Sequence, residues 1–513
     1  MLRLSLVEDS MRNVEIAEQL RTVGRGFAPR AVAQTSLGRE ATQPHAAPGG
    51  IHRFVWGALI ISFPFTALDF WHGRMPTTFS EPAFYLTMLL ALLTLVDFAW
   101  QKKFFFPRRR SFLILLAFIV YAGLPVFLLP HLRYSWWPGL NPVTKTYTAW
   151  LQAATAGLVT YLTLRFVQSW EDFRFALKCS FVGFLLALAA GGLQITGTFW
   201  PRSVAMDLFM LLHGLSAQLS GRLDLLGAEP AMGGDYLLAI VPFLLLGSFY
   251  WKSRRWTFVW SAVGIVLLCG TFSFGTYAAL VGSALVTGLL IARRGARSVL
   301  APVLLLLLAL GVAALTTRSA YWSVSDRVWD VLDNGLGPSL RSASTRSRLA
   351  GAESTFNVFL DHPLMGVGLG MPRFYVHESM PSWAMADASI RSSVMGDDPY
   401  GVASSNNLFI ELLASTGLPG CLLFAAFLFS MLADSYGAFR GAKEKWKRRA
   451  LAGIFFALVA QIFHYFALGD FAFRYWFFIW GLAICSTQLA MQNDRRMARF
   501  SPGFVYPPLA PRD

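Results

Sequence analysis

Two apolar stretches decide the fold of this chain: VLAPVLLLLLALGVAAL at residues 299–315 and LAGIFFALVAQIFHYFAL at residues 451–468. Each approaches the ~20 residues with which a helix crosses the hydrocarbon core of a bilayer. Neither contains Asp, Glu, Lys or Arg. The whole chain of 513 residues is 55% hydrophobic and only 14% charged, which is little charge for the surface of a soluble protein. We therefore predict that most of the chain lies in lipid.

Further runs of the same kind predict an all-α membrane protein, a polytopic bundle of about 12 transmembrane helices. Between the seventh and eighth runs only residues 273–276 serve as a spacer, and their small side chains predict a tight turn. The alternative is one bent helix, which would make the number of crossings odd. The runs lie near residues 54–70, 82–99, 111–129, 147–167, 174–198, 234–250, 256–272, 276–292, 299–316, 406–432, 450–468 and 472–490.

The net charge of +15 is distributed between the runs rather than collected on one surface. An even number of crossings places both termini and every second loop in the cytoplasm, where Lys and Arg accumulate. This pattern predicts cytoplasmic termini, argues against a bent seventh helix, and leaves no continuous basic surface for nucleic acid. The basic clusters follow the second, sixth, eighth, tenth and twelfth runs, at residues 102–110, 252–255, 293–297, 440–449 and 495–499.

These assignments divide the chain into five parts. The large loop between the ninth and tenth helices is the longest outer segment, and a second outer segment spans about 199–233. Two sizeable outer loops indicate work on the periplasmic side. The predicted parts are a disordered cytoplasmic tail without a cleavable signal peptide at 1–50, helices one to nine at 51–316, a periplasmic loop subdomain at 317–405, helices ten to twelve at 406–492, and a cytoplasmic tail at 493–513.

The large loop carries Arg341, Arg346 and Arg348, although arginine is unusual on the outer side of a membrane. A guanidinium group can hold a diphosphate through two parallel hydrogen bonds. The alternative is ordinary loop charge, paired with acidic side chains of the same loop. Those side chains are Asp330, Asp333 and Glu353.

A glycine-rich stretch follows, with Gly366, Gly368 and Gly370 at alternate positions. It follows no predicted strand and lacks the third glycine spacing of a dinucleotide-binding fingerprint, so we do not expect a nucleotide there. We predict instead a turn whose backbone approaches another element closely, because glycine has no side chain in the way.

Together these motifs resemble the family of O-antigen ligases and related polymerases. In that family an Arg precedes a turn of the form hPLxGvGxG, and HNxxLxxLxxxGxxG then opens a helix. Here Arg348, residues 363–370 and residues 407–420 follow that order. Residues 220–230 are similar to the family's RxxGxFxxPN or EPS segment, and residues 271–275 to its TxSRG turn. The resemblance covers roughly residues 218–430.

The resemblance implies a glycosyltransferase of the bacterial inner membrane that moves a glycan from a polyprenyl diphosphate carrier to an acceptor hydroxyl at the periplasmic face. It implies no cofactor and no metal. Arg222 and Arg348 would bind the diphosphate as catalytic groups, with Arg346 as a third candidate. Glu229 beside Arg222 is a candidate catalytic base, although an ion pair with a nearby Arg is the alternative reading.

Other polar residues are candidates for substrate binding. His362 and Asp361 are further candidate bases, although an ordinary turn histidine is the alternative for His362. Asn406 and Asn407 would orient the acceptor. Asp235 and Asp470 lie near helix ends at the outer interface, where charge is tolerated and carries little information.

Two departures from the family pattern bear on the reaction. The family's His falls on Asn406, which cannot take up a proton near neutral pH, and its Arg falls on Phe274. Asn406 and the Glu229–Pro230 pair favour a polymerase over a ligase. The expected partners are a polyprenyl-diphosphate-linked glycan, a lipid or glycan acceptor, membrane lipid, and export or chain-length proteins. The alternatives are a polysaccharide transporter or flippase and a non-catalytic subunit of an assembly complex.

Overall fold

The computed structural model describes residues 50–66, 81–102, 105–128, 142–200, 203–213, 223–227, 230–247, 254–271, 273–292, 343–388, 390–391, 405–467, 471 and 474–500. Within these ranges all regular structure is helical. The helices are α1 Gly50–Ser62, α2 Pro82–Gln101, α3 Arg110–Leu128, α4 Pro142–Phe166, α5 Trp170–Phe199, α6 Val204–His213, α7 Pro230–Leu245 and α8 Arg254–Gly270. They continue as α9 Phe274–Ala292, α10 Ala343–Asp361, α11 Pro372–Ser379, α12 Ser382–Met385, α13 Leu408–Gly441, α14 Lys445–His464 and α15 Arg474–Phe500.

The helices coincide with the long apolar runs of the sequence. Every predicted run except 299–316 overlaps one of them, and 299–316 lies outside the described residues. Among the described residues, three helices are long and apolar enough to cross a membrane: Pro82–Gln101, Trp170–Gly197 and Leu408–Gly441. Five shorter apolar helices of the described chain belong to α1, α3, α7, α8 and α9. An all-helical membrane protein agrees with these findings, while the number of crossings stays a prediction.

The predicted break between the seventh and eighth runs is confirmed. Helix α8 ends at Gly270, α9 begins at Phe274, and the two are separate elements rather than one bent helix. They pack on different partners, since α8 lies mainly against α7 and α9 mainly against α14. The intervening turn therefore lies where α7, α9 and α14 meet.

Helix α13 joins α14 and α15 around an aromatic core. The indole of Trp480 contacts the rings of Phe424, Phe427 and Phe477, with centroids 6.1, 4.8 and 5.0 Å away. Its Nε1–H donates to Gln461 Oε1 at 2.7 Å. Aromatic packing of this kind is stabilising, and the hydrogen bond satisfies the one polar atom of the indole. The core fixes the three carboxyl-terminal helices against one another.

Two contacts between ionisable side chains of described residues join helices at opposite ends of the predicted spans. The Arg474 guanidinium at the start of α15 pairs with the Glu81 carboxylate at the start of α2, and both side chains are buried. His52 Nε2 lies 3.1 Å from Asp97 Oδ2, near the start of α1 and the end of α2. The Arg474–Glu81 pair is removed from water, so each of its charges depends on the other, and the pair joins α15 firmly to α2.

The predicted loop at 317–405 contains α10, α11 and α12 within its described part. Two small apolar clusters hold these helices, one around Val358 and Phe374 and another around Ala350 and Ala384. Helix α10 also packs on α13. The segment is therefore folded on its own small cores, while its periplasmic position stays a prediction.

Candidate functional site

The glycine turn docks onto α13 at a kink. Val367 N–H donates to Ala414 O at 2.9 Å, and Gly368 N–H donates to Ser415 O at 2.8 Å. At the kink Gly417 has φ 65° and ψ −174°, which is a backbone conformation essentially restricted to glycine. A Cβ atom at Gly366 would lie 2.4 Å from the carbonyl carbon of Ser415. The predicted close approach of this turn to another element is confirmed.

The entry to α13 is held by side chains that cap the helix. Asn407 Oδ1 accepts hydrogen bonds from the N–H groups of Phe409 and Ile410, at 3.0 and 3.2 Å. Asn406 adopts a left-handed conformation with φ 46°. The amide oxygen of Asn407 therefore serves the helix as an N-cap. Substrate binding by either asparagine stays a prediction.

The same entry is joined to the end of α14. Leu408 N–H donates to Tyr465 O at 2.8 Å. The Phe409 ring meets the Tyr465 ring edge to face, with centroids 6.3 Å apart. Leu408 and Phe409 at the start of α13 thus lie beside Tyr465, the residue after His464.

Two of the predicted arginines lie on α10 with different surroundings. Arg346 makes a 2.8 Å ion pair with Asp387, so its charge is paired, although with a carboxylate other than those predicted. Arg348 is exposed and makes no ion pair with a described residue. Residues two apart on a helix diverge by about 200°. Arg346 and Arg348 therefore leave α10 on opposite sides, and the exposed Arg348 is the better placed for a ligand.

His362 lies at the end of α10 and is exposed. Its ring meets the Tyr375 ring edge to face, with centroids 5.7 Å apart, and its backbone N–H is bonded to Val358 O and Phe359 O. These contacts are those of a turn histidine. A role in substrate binding stays a prediction.

Arg222, Glu229 and Arg341 lie outside the described residues. The segment 223–227 between the first two is firmly attached. Leu223 N–H donates to Gly270 O at 2.8 Å, and Asp224 N–H donates to Gln194 Oε1 at 2.9 Å. Residues 223–227 are therefore fixed beside the end of α8.

A buried polar cluster lies next to that turn. His464 Nε2 at the end of α14 lies 2.7 Å from Asp235 Oδ1 near the start of α7, and their side chains are only 5% and 1% exposed. Thr276 Oγ1 donates towards the same carboxylate oxygen at 3.2 Å and lies 2.7 Å from Ser273 Oγ. We name Asp235, Ser273, Thr276 and His464 the Asp–His cluster.

The His464 imidazole and the Asp235 carboxylate are separated by the distance of an ion pair. Neither ring nitrogen of His464 makes a hydrogen bond of good geometry with a described residue. Nδ1 is enclosed, and a Cβ atom at Gly275 would lie 3.9 Å from it. One nitrogen thus faces Asp235, while the other faces the turn that resembles the family's TxSRG segment.

The interpretation of Asp235 as a tolerated charge at the outer interface does not describe its burial. Asp235 is one of the most buried carboxylates of the described chain, and it lies against a histidine. His464 was not among the predicted site residues. An ionisable residue inside an apolar run is by itself a signal of function. That signal could have drawn attention to His464 within residues 451–468.

The described part of the chain contains no candidate metal site. No group of three or more His, Cys, Asp or Glu side chains comes together there. The four cysteines, all within described ranges, are free thiols. The expectation of a reaction without metal or cofactor stays a prediction.

Residues 256–425 match the family described as O-antigen ligase. The match covers about a third of the 513 residues and includes α8, α9, Arg348, the glycine turn and the kinked part of α13. It confirms the resemblance predicted from the motifs. No curated protein matches the chain.

Proposed function

We propose that the chain is a membrane glycosyltransferase of the O-antigen ligase and polymerase type, which moves a glycan from a polyprenyl diphosphate carrier to an acceptor hydroxyl. The observation that carries the proposal is the family match over residues 256–425. Within the matched segment the glycine turn packs on α13, which in turn contacts the end of α14. Two segments that resemble the family, the glycine turn and the start of α13, are therefore in direct contact.

Arginine supplies the chemistry that the transfer needs. When the bond between the sugar and the carrier breaks, negative charge grows on the diphosphate, and a prearranged guanidinium stabilises that charge. Arg348 is exposed and has no ion pair with a described residue, so it can take this role. We assign Arg222 as its partner, and the reaction needs no metal because guanidinium groups neutralise the diphosphate.

Within this class we favour a polymerase of saccharide repeats over a ligase. Asn406 stands where the family has a histidine, and Glu229–Pro230 has the form found in exopolysaccharide polymerases. We place the reaction at the periplasmic face of a bacterial inner membrane, because the basic clusters predict that the large loop lies outside.

The test is a transfer assay with purified protein in nanodiscs and a synthetic polyprenyl-diphosphate-linked repeat unit. The wild type should release the carrier and, as a polymerase, give a ladder of products, whereas a ligase would give a single addition. EDTA should leave the rate unchanged. Arg348→Ala and Arg222→Ala should each lower the rate by roughly 10²–10³, as loss of one charge-stabilising donor does in other enzymes.

Arg391→Ala provides the matched control. Arg391 is also an exposed arginine near α12, but it lies outside the motifs, so its variant should transfer at the wild-type rate. Equal activity of wild type, Arg348→Ala and Arg222→Ala would remove the diphosphate assignment. If the protein moved the intact lipid-linked glycan across the membrane of vesicles without transferring the glycan, the proposal of an enzyme would give way to that of a transporter.

A further inference from the structure

The Asp–His cluster holds an imidazole whose second nitrogen is unused. Nδ1 of His464 is enclosed and has no hydrogen-bond partner among the described residues. A buried polar atom without a partner costs about 1–3 kcal/mol, so such atoms in native structures call for an explanation. Nε2 of the same ring lies 2.7 Å from Asp235 Oδ1, an ion-pair distance, but without a hydrogen bond of good geometry.

The position of the cluster connects it to the matched segments. Asp235 lies in the second turn of α7, just after Glu229–Pro230. Ser273 and Thr276 belong to the turn and first residues of α9, within the match to O-antigen ligase. Tyr465, the residue after His464, accepts the N–H of Leu408 at the entry of α13. Two segments of the family match, the turn before α9 and the entry of α13, therefore lie around His464 together with the start of α7, while His464 and Asp235 themselves lie outside the match.

We infer that His464 is the general base that takes the proton of the acceptor hydroxyl, and that Asp235 is its positioning residue. This inference rests on the glycosyl transfer proposed above. It supplies a proton acceptor in a chain whose Asn406 cannot be one. Because the Asp235 carboxylate lies on the Nε2 side of the ring, the tautomer with its proton on Nε2 is favoured, and the lone pair of Nδ1 then accepts the proton of the hydroxyl.

In the proposed glycosyl transfer two bonds form and two bonds break. The acceptor oxygen forms a bond to the anomeric carbon of the donor sugar, and its proton moves to Nδ1 of His464. The bond between the anomeric carbon and the carrier oxygen breaks, and its electron pair leaves with the polyprenyl diphosphate. The imidazolium is stabilised by Asp235 until the products have left, and its proton then passes to the water that replaces them. The products are the glycosylated acceptor and the free carrier.

Burial of the cluster suits this role. With side chains only 5% and 1% exposed, His464 and Asp235 are screened from bulk water. A base that activated water as readily as the acceptor would hydrolyse the donor, and an enclosed base avoids that side reaction. Thr276 supports the carboxylate from α9, so the orientation of the imidazole depends on three helices.

The test compares two histidines of similar surroundings. His52, like His464, is a mostly buried histidine beside a carboxylate, with Nε2 3.1 Å from Asp97, but it lies near the start of α1. His464→Gln should lower kcat by roughly 10²–10⁴, the usual contribution of a general base, with the KM for the donor little changed. His52→Gln should leave kcat and KM as in the wild type. Arg348→Ala should lower the rate and should also weaken binding of the polyprenyl diphosphate itself, a loss of affinity that His464→Gln should not show.

Asp235→Asn keeps the shape of the carboxylate and tests its positioning role, also where His464→Gln does not accumulate as folded protein. It should lower kcat by at least about tenfold at unchanged donor KM. Wild-type kcat in His464→Gln or Asp235→Asn would overturn the inference, and so would a rise in KM with kcat intact. A wild type that transfers no glycan would overturn the proposed function instead, so the two failures are distinguishable.

Discussion

Replacing Gly417 with alanine should destabilise the protein strongly, because two independent costs fall on one methyl group. The first is conformational: φ 65° with ψ −174° is a region in which residues with a Cβ atom cost about 1–3 kcal/mol. The second is steric. The new Cβ atom would lie 2.4 Å from Leu364 O, 2.5 Å from Leu364 C and 2.8 Å from Pro363 O.

The contacting atoms belong to backbone, so they cannot move aside as a flexible side chain would. Overpacking of this kind costs about 1–3 kcal/mol, and the two costs together amount to roughly 2–6 kcal/mol. Accommodation would have to break the Leu418 N–H to Pro363 O hydrogen bond of 2.8 Å, which joins the glycine turn to α13. The substitution should therefore weaken the contact of the whole glycine turn with α13.

The assay is unfolding in mixed micelles with increasing SDS, followed by circular dichroism and tryptophan fluorescence. Gly437→Ala is the matched control in the same helix, because nothing lies within 4 Å of a Cβ atom there. That substitution should stabilise the helix by about 0.5–1 kcal/mol, since alanine is the better helix former. Equal unfolding midpoints for the two variants would refute the reasoning.

Two further substitutions test the packing of the chain. Arg474→Met leaves the Glu81 carboxylate buried without its partner and should cost about 3–5 kcal/mol, whereas Arg474→Met with Glu81→Gln should recover much of that loss. A double variant no more stable than the single one, measured by the same unfolding assay, would contradict this. Asn407→Ala removes the cap of α13 and should cost about 1 kcal/mol, while Asn407→Asp should retain stability. No difference between alanine and aspartate at this position would count against the cap.

The sequence predicts what depends on local pattern. Apolar runs near the thickness of a bilayer locate the helices, because burial in lipid rewards length and hydropathy alone. The glycine turn is predictable for a similar reason, since alternate glycines indicate close backbone approach. The cap at Asn407 follows a local rule as well, although the resemblance to the family points to substrate binding for the same side-chain amide.

Pairings between distant residues are not predictable in this way. Asp235 and His464 meet only because α7 and α9 both pack against α14, and no local pattern encodes that arrangement. The ion pair of Arg346 with Asp387 depends likewise on how α10 and the residues after α12 fold together. A single sequence displays the residue types but not the tertiary packing that brings them within bonding distance.

The kink at Gly417 divides α13 into two rods of different environment. After the kink, residues 418–441 extend for about 36 Å at 1.5 Å per residue, which is enough to traverse the ~30 Å hydrocarbon layer without help. If these residues cross the bilayer as predicted, the nine residues before the kink are not needed for the crossing and would lie near the lipid headgroups. Leu364 and Met365 of the turn docked there are 71% and 42% exposed. In that arrangement these exposed apolar side chains would contact the membrane surface and would fix the distance between α10 and the acyl chains.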